Sequence, residues 1–251
     1  MDLFAVASAL FTLTTFGVAA AIVAACASAA PSPAARRRAG LLAALALLAW
    51  LGFTGALAAR GALSDFSVVP PRVTPVILAG NLAAVALALS PLGRRIAVGT
   101  PLAWLVGFQV FRVAVELVLA MLHHAGVVPV QMSLEGRNWD ILSGLAAAPV
   151  AWLAARGRLP RRGLLAWNVL GMGLLINIVA IAVLSMPTAM RAFPAGPANT
   201  FIATAPYVWL PALLVPAALA GHLLVFRRLL IERADGRAEQ VGLAQVGGAT
   251  D

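Results

Sequence analysis

The chain has 251 residues, 62% of them hydrophobic and only 11% charged, and its mean hydropathy is +0.95. A water-soluble domain of this size needs far more polar surface. The net charge of +9 comes from 18 Arg and no Lys; these Arg sit between apolar runs, which points to membrane orientation rather than to nucleic acid.

Residues 3–28 form the first apolar run, with Ser8, Thr12 and Thr15 on one face. The run is longer than a signal peptide and lacks a basic start, so it reads as a membrane-spanning helix. Val23-Ala24-Ala25-Cys26 resembles a bacterial lipoprotein processing box. Cleavage there would put Arg36, Arg37 and Arg38 outside, against the charge rule. The second run is 40–59, and the third, 74–92, carries Asn81. The fourth covers 97–122, the fifth and shortest 139–155, and the sixth 164–187. The sixth holds Asn168 and Asn177 on opposite faces, and Gly171 and Gly173, which allow close helix approach. The seventh, 201–226, carries Pro206, Pro211 and Pro216, which predict a kink or local unwinding. Thr200, Thr204, Tyr207 and His222 share one of its sides. The polar, Gly-rich stretch 234–251 reads as a disordered cytoplasmic tail.

Thirteen Arg fall in one set of connectors (36–38, 94–95, 156–162 and 227–237) and four in the alternate set. The bias predicts an N-terminus outside and a cytoplasmic C-terminus. The expectation is therefore an all-α, polytopic membrane bundle over residues 1–233. It has about seven transmembrane helices and sits in a bacterial inner membrane with the lipid bilayer as its partner.

The fourth run carries the strongest chemical signal. Gln109, Arg112, Glu116 and His123 fall within roughly a 60° arc of a helix. Burying one Arg at the bilayer centre costs roughly 2.5–3.5 kcal/mol, so the stripe must face the bundle interior, with Arg112 and Glu116 expected to pair. Such a pair marks either a ligand pathway or a structural packing pin. The following loop holds His123, His124, Glu135, Arg137, Asn138, Trp139 and Asp140, the densest polar cluster in the chain. Asn138 is a candidate cap for the fifth helix, Asp140 a first-turn acid against its dipole, and Trp139 an interfacial anchor. Glu135 and Arg137 have no such explanation. Asn81, Asn177 and Tyr207 are candidates to line a cavity with the fourth helix.

Catalytic signatures are missing: there is no His-Glu-x-x-His, no Gly-x-Ser-x-Gly and no phosphate-binding Gly loop. One Cys and three His cannot build a structural Cys/His zinc cluster, and adjacent His123 and His124 suit a single metal poorly. Microbial rhodopsins share the expected topology but need a Lys for retinal, which is missing here. Ceramidase-like hydrolases share only the topology. His222 is expected near the cytoplasmic end, far from the other two. No cofactor or metal is expected.

Phe111-Arg112-x-x-Val115-Glu116, then Met132-Ser133-x-Glu135-Gly136-Arg137-Asn138-x-Asp140-Ile141-Leu142, then Trp167-Asn168 and Asn177-Ile178-Val179, resemble an uncharacterised family of bacterial multi-pass membrane proteins. The resemblance covers about the second half of the chain and carries no activity with it. Three functions remain open. The first is binding or translocation of a small ligand through an outward-facing polar cavity at Arg112 and Glu116. Its ligand-binding set is Arg112, Glu116, His123, Glu135, Arg137, Asn138, Asp140, Asn81, Asn177 and Tyr207. The second is a membrane enzyme acting on a lipid or lipid-linked substrate at the outer leaflet, with Glu135 or Asp140 as general acid/base assisted by His123 or His124. The third is a non-catalytic subunit of a membrane complex.

Overall fold

The computed structural model describes the backbone of residues 3–247 and the side chains of residues 3–234. Among them all regular structure is helical. The elements are α1 (Leu3–Ser28), α2 (Pro33–Ala59), α3 (Thr74–Leu89), α4 (Pro91–Gly99), α5 (Leu102–Gly107), α6 (Phe111–His124), α7 (Ile141–Ala155), α8 (Arg161–Leu184) and α9 (Val215–Gly247).

Every expected apolar run contains a helix, but not every run is a simple span. Five stretches are long and apolar enough to cross a membrane: α1, α2, Leu102–His124, α8 and Leu210–Ala234. A sixth is broken, because α3 and α4 meet at 68°. Ser90 makes the break. It is extended before Pro91, which disfavours helix at that position, and its Oγ accepts from Gly93 N at 3.0 Å to cap α4. The fourth run accordingly starts at Leu102 rather than 97. α7 has 15 residues, short of the roughly 20 that a spanning helix needs.

Two other boundaries move. α2 begins at Pro33, so Arg36, Arg37 and Arg38 lie in its first turns and not in a connector. Ser32 caps it, accepting from Ala35 N at 3.3 Å, and Pro33 takes the first helical position, where its missing N–H costs nothing. The helix α9 continues to Gly247, so 234–247 is helix where the sequence suggested disorder. Ala, Arg, Glu, Gln and Leu dominate that stretch and favour helix; residues 248–251 lie outside the described ones.

The proline-rich entry to α9 unwinds as expected. Residues 201–208 are a 3-10 segment, a bend and turns, and Leu210–Leu214 is π-helical around Pro211. The helix that follows is the bundle's centre. Of the apolar window of Leu210–Ala234, 72% is buried, against 17% for α2 at the periphery. α9 packs on α3, α4, α5 and α8, while α6 packs on α1 and α7. This arrangement surrounds the polar stripe of α6 with protein.

Candidate functional site

The stripe on the fourth span turns inward over most of its length. Gln109 is fully buried, Arg112 is 2% exposed and Glu116 1%. Gln109 sits on a 3-10 turn between α5 and α6 and donates from Nε2 to Ala218 O at 3.0 Å. His123, one turn beyond the buried part, reaches the surface instead.

Arg112 does not pair with Glu116. Its guanidinium grips Asp140 with two donors, Nε reaching Oδ2 at 2.7 Å and Nη2 reaching Oδ1. Nη1 donates to Ser143 Oγ at 2.8 Å and to His222 Nε2 at 2.8 Å, and Nη2 also donates to Gly171 O at 3.2 Å. A guanidinium has five N–H donors, and all five are used. The fork geometry explains the correction. Asp140, held just before α7, presents both carboxylate oxygens to the guanidinium, which a Glu one turn along the same helix does not. Asp140 therefore serves neither as a free acid/base nor as a dipole-facing first-turn residue. It occupies the N-cap position of α7 without a side-chain capping bond.

The network extends to α8 and α9. Arg can only donate, so His222 Nε2 accepts and the ring proton sits on Nδ1. That proton goes to Asn168 Oδ1 at 2.8 Å, and Asn168 Nδ2 donates to His222 O at 3.1 Å. Four elements thus meet on one buried cation. The α8 backbone reaches it only because Gly171 has no side chain: a Cβ there would stand 2.6 Å from both His222 Cε1 and Ser143 Oγ. Gly173, also expected to serve close approach, has nothing within 4 Å of its Cβ position.

Glu116 belongs to a second arrangement. Asn138 Nδ2 donates to Glu116 Oε2 at 2.6 Å and to Met132 O at 3.0 Å, and Asn138 Oδ1 accepts from Asp140 N at 3.1 Å. Asn138 thus stitches the loop down onto Glu116 rather than capping α7 alone. Among the described residues Glu116 Oε1 has no hydrogen-bond partner. A cavity of about 80 Å³ lies beside it. Asn81, Arg112, Glu116 and Asp140 supply its polar edges; the rest is apolar, including Val115, Leu119, Met132, Ile178, Val179 and Leu214. The expected polar cavity is therefore a mainly apolar one, because Arg112 and Asp140 spend their polarity on each other.

Of the remaining sequence candidates, only Asn81 lines that cavity. His123 and His124 stand with Glu135 at the surface: His124 Nε2 is 2.9 Å and His123 Nε2 3.7 Å from the Glu135 carboxylate. His123 Nδ1 donates to Val128 O at 2.9 Å. Arg137 is exposed over the Phe193 ring at 5.5 Å, and its carbonyl accepts from Asn177 Nδ2 at 3.0 Å. Tyr207 is buried against α1, sharing a 2.8 Å hydrogen bond with Ser8 Oγ. Asn177 is exposed, so neither it nor Tyr207 joins Arg112. Among the described residues no group of three or more His, Cys, Asp or Glu is placed to hold a metal.

Ser143, Asn168, Gly171 and His222 are the site members that sequence reasoning did not assemble. His222 was readable as an intramembrane imidazole. It lies deeper than expected because the spanning stretch is Leu210–Ala234 rather than 201–226, which puts position 222 at its middle.

One family model, described as Domain of unknown function (DUF8737), matches residues 71–230, more than half of the chain. Every member of the Arg112 and Glu116 networks falls inside that range, and α1 and α2 fall outside it. No curated protein and no solved structure matches.

Proposed function

We propose that this chain, which belongs to the DUF8737 family of unknown function, is a multi-pass membrane protein that binds a small ligand beside Glu116. The single observation that carries this reading is a buried carboxyl with one oxygen unpartnered among the described residues, set at the edge of a mainly apolar cavity. Burying such a group without use for its free oxygen is costly. The cavity's 80 Å³ is several times the roughly 10–15 Å³ that one water needs. The lining defines the ligand class: a donor group for Glu116 and a short aliphatic body for the wall, as in an alkylammonium or an alcohol. Arg112 is not the ligand's partner in this reading. It is the cation that holds α6, α7, α8 and α9 in register around the cavity. The loop 125–140, tied down through Asn138, covers the site, and the Arg bias of the connectors orients that loop outward. Glu116 then supplies the proton-exchanging group if binding leads to translocation.

The test is a thermal-shift panel of short alkylammonium ions, alcohols and carboxylic acids on detergent-purified protein. At least one donor-bearing compound is expected to stabilise the wild type, but neither Glu116→Gln nor the cavity-filling Leu119→Trp. If no compound separates the wild type from those variants, the reading fails. Proton-coupled uptake of the hit into liposomes then distinguishes transport from binding alone.

A second reading draws on the surface cluster. Glu135 within 2.9 Å of His124 is a carboxylate–imidazole pair within proton-transfer reach, which an enzyme acting on a lipid-linked substrate at that interface would use. Loss of lipid-ester cleavage in Glu135→Gln, with wild-type cleavage measured in mixed micelles, would favour it. No cleavage by the wild type would exclude it for that substrate class.

A further inference from the structure

A second cavity is larger than the one beside Glu116. A groove of about 980 Å³ runs between α1, the α4–α5 segment, α6 and α9, and Phe111 lines both spaces. Small residues open it on α1: Gly17, Ala21, Ala24 and Ala25 stand where larger side chains would fill it. Its α1 wall extends from Thr14 to Ser28, about 21 Å at the helical rise. One leaflet is about half of the roughly 30 Å hydrocarbon thickness, so the groove is long enough for a full acyl chain.

One end of this groove is polar, with basic residues beside it. Thr100, at the end of α4, lines it, and its Oγ1 is buried with no hydrogen-bond partner. Ile96 and Gly99 of the same short helix line it too. Arg94 and Arg95 of the same helix are exposed outside that lining, and neither side chain has a partner among the described residues. Arg95 stands one turn before Gly99, so it lies along the edge of the groove. The 68° bend at Ser90 is what brings this basic helix across the end of α1, where Ile96 and Ala97 pack with Cys26.

We infer that this groove is a binding site for an anionic phospholipid, with one acyl chain along α1 and the phosphate on Arg94 and Arg95. The occupant follows from charge and length together: an apolar slot of one-leaflet length, with an unsatisfied hydroxyl at its end and, beside that end, two guanidinium groups unpaired among the described residues. The site is separate from the Glu116 cavity and stands or falls independently of it.

The experiment is native mass spectrometry of detergent-purified protein titrated with phosphatidylglycerol and phosphatidylcholine of identical chains. The wild type is expected to prefer phosphatidylglycerol by about thirtyfold, from two basic groups at a lipid surface. The double variant Arg94→Gln/Arg95→Gln is expected to lose that preference and bind both lipids alike. Ala24→Leu, which narrows the slot, is expected to weaken both. Excess glycerol phosphate is expected not to displace the bound lipid. A phosphatidylglycerol with a diazirine on its acyl chain, used on the wild type, is expected to label peptides containing 17–28 or 99–107. The proposal is overturned if the wild type binds both lipids equally, or if the preference survives the double Arg variant. Displacement by glycerol phosphate, or label outside those peptides, overturns it as well.

Discussion

Asp140→Asn is the sharpest test of the Arg112 network. The guanidinium is 2% exposed and spends two of its five donors on the Asp140 carboxylate. Asn keeps the shape but removes the charge and one acceptor, leaving a buried cation without a counter-ion. Removing one partner of a buried pair costs about 3–5 kcal/mol. Helices unfolded within a detergent or bilayer find other polar partners, which favours the lower end of that range. A loss of about 3 kcal/mol is more than a hundredfold in the folding equilibrium. Equilibrium unfolding in mixed micelles by titrated SDS, followed by helical circular dichroism, measures it. Glu116→Gln is the control. Its Oε1 can still accept from Asn138, so it is expected to cost no more than about 1 kcal/mol. The double variant Arg112→Met/Asp140→Leu is expected to recover much of the Asp140→Asn loss, short by the unmet needs of His222 and Ser143. Had Arg112 paired with Glu116, the larger loss would fall on Glu116→Gln. Equal losses, or an Asp140→Asn loss below about 0.5 kcal/mol, the range of ordinary surface changes, would refute the assignment.

Four further outcomes follow. Gly171→Ala would place a Cβ 2.6 Å from His222 Cε1 and Ser143 Oγ and is expected to destabilise by about 1–3 kcal/mol in the same unfolding assay. Gly173→Ala, with open space around it, is expected to be neutral or stabilising by up to about 1 kcal/mol; reversed signs would show that the α8–α9 approach is wrong. Tyr207→Phe removes the shared hydrogen bond with Ser8 Oγ and is expected to cost about 1 kcal/mol, read as a lower thermal midpoint; an unchanged midpoint speaks against that α1 contact. Hydrogen bonds from Ser67, helped by Arg72, hold the exposed Asp65 carboxyl below its ordinary value of 3.8. Because the folded value is the lower one, the clasp contributes above the unfolded value and is lost as pH falls through the folded one. An NMR titration of Asp65 is expected to show a midpoint below a free Asp, rising in Ser67→Ala; a midpoint at or above the free value contradicts it.

Much of the architecture was legible in the chain because the bilayer imposes a one-dimensional rule. A lipid-exposed backbone must satisfy its own hydrogen bonds, so apolar runs near spanning length are helices. The same rule turned the Gln109–Arg112–Glu116 stripe inward, since the cost of a guanidinium in hydrocarbon does not depend on its partners. The Pro206–Pro216 series announced a distorted entry, which is the π-helical stretch Leu210–Leu214.

What the sequence could not decide was the choice among partners. Arg112 had Glu116 four residues away and Asp140 twenty-eight residues away, and helical spacing speaks only for the nearer. Which carboxylate wins depends on how the chain packs. The loop must bring Asp140 back over α6, α8 must approach at Gly171, and α9 must present His222 at the same depth. The 68° break at Ser90, too, shows how a run read as one straight span becomes α3 and the basic α4, which reach spanning length only together. A linear pattern fixes burial, because burial is a property of one residue against its solvent. Pairing is a property of two residues and the space between them, and only the assembled bundle supplies that.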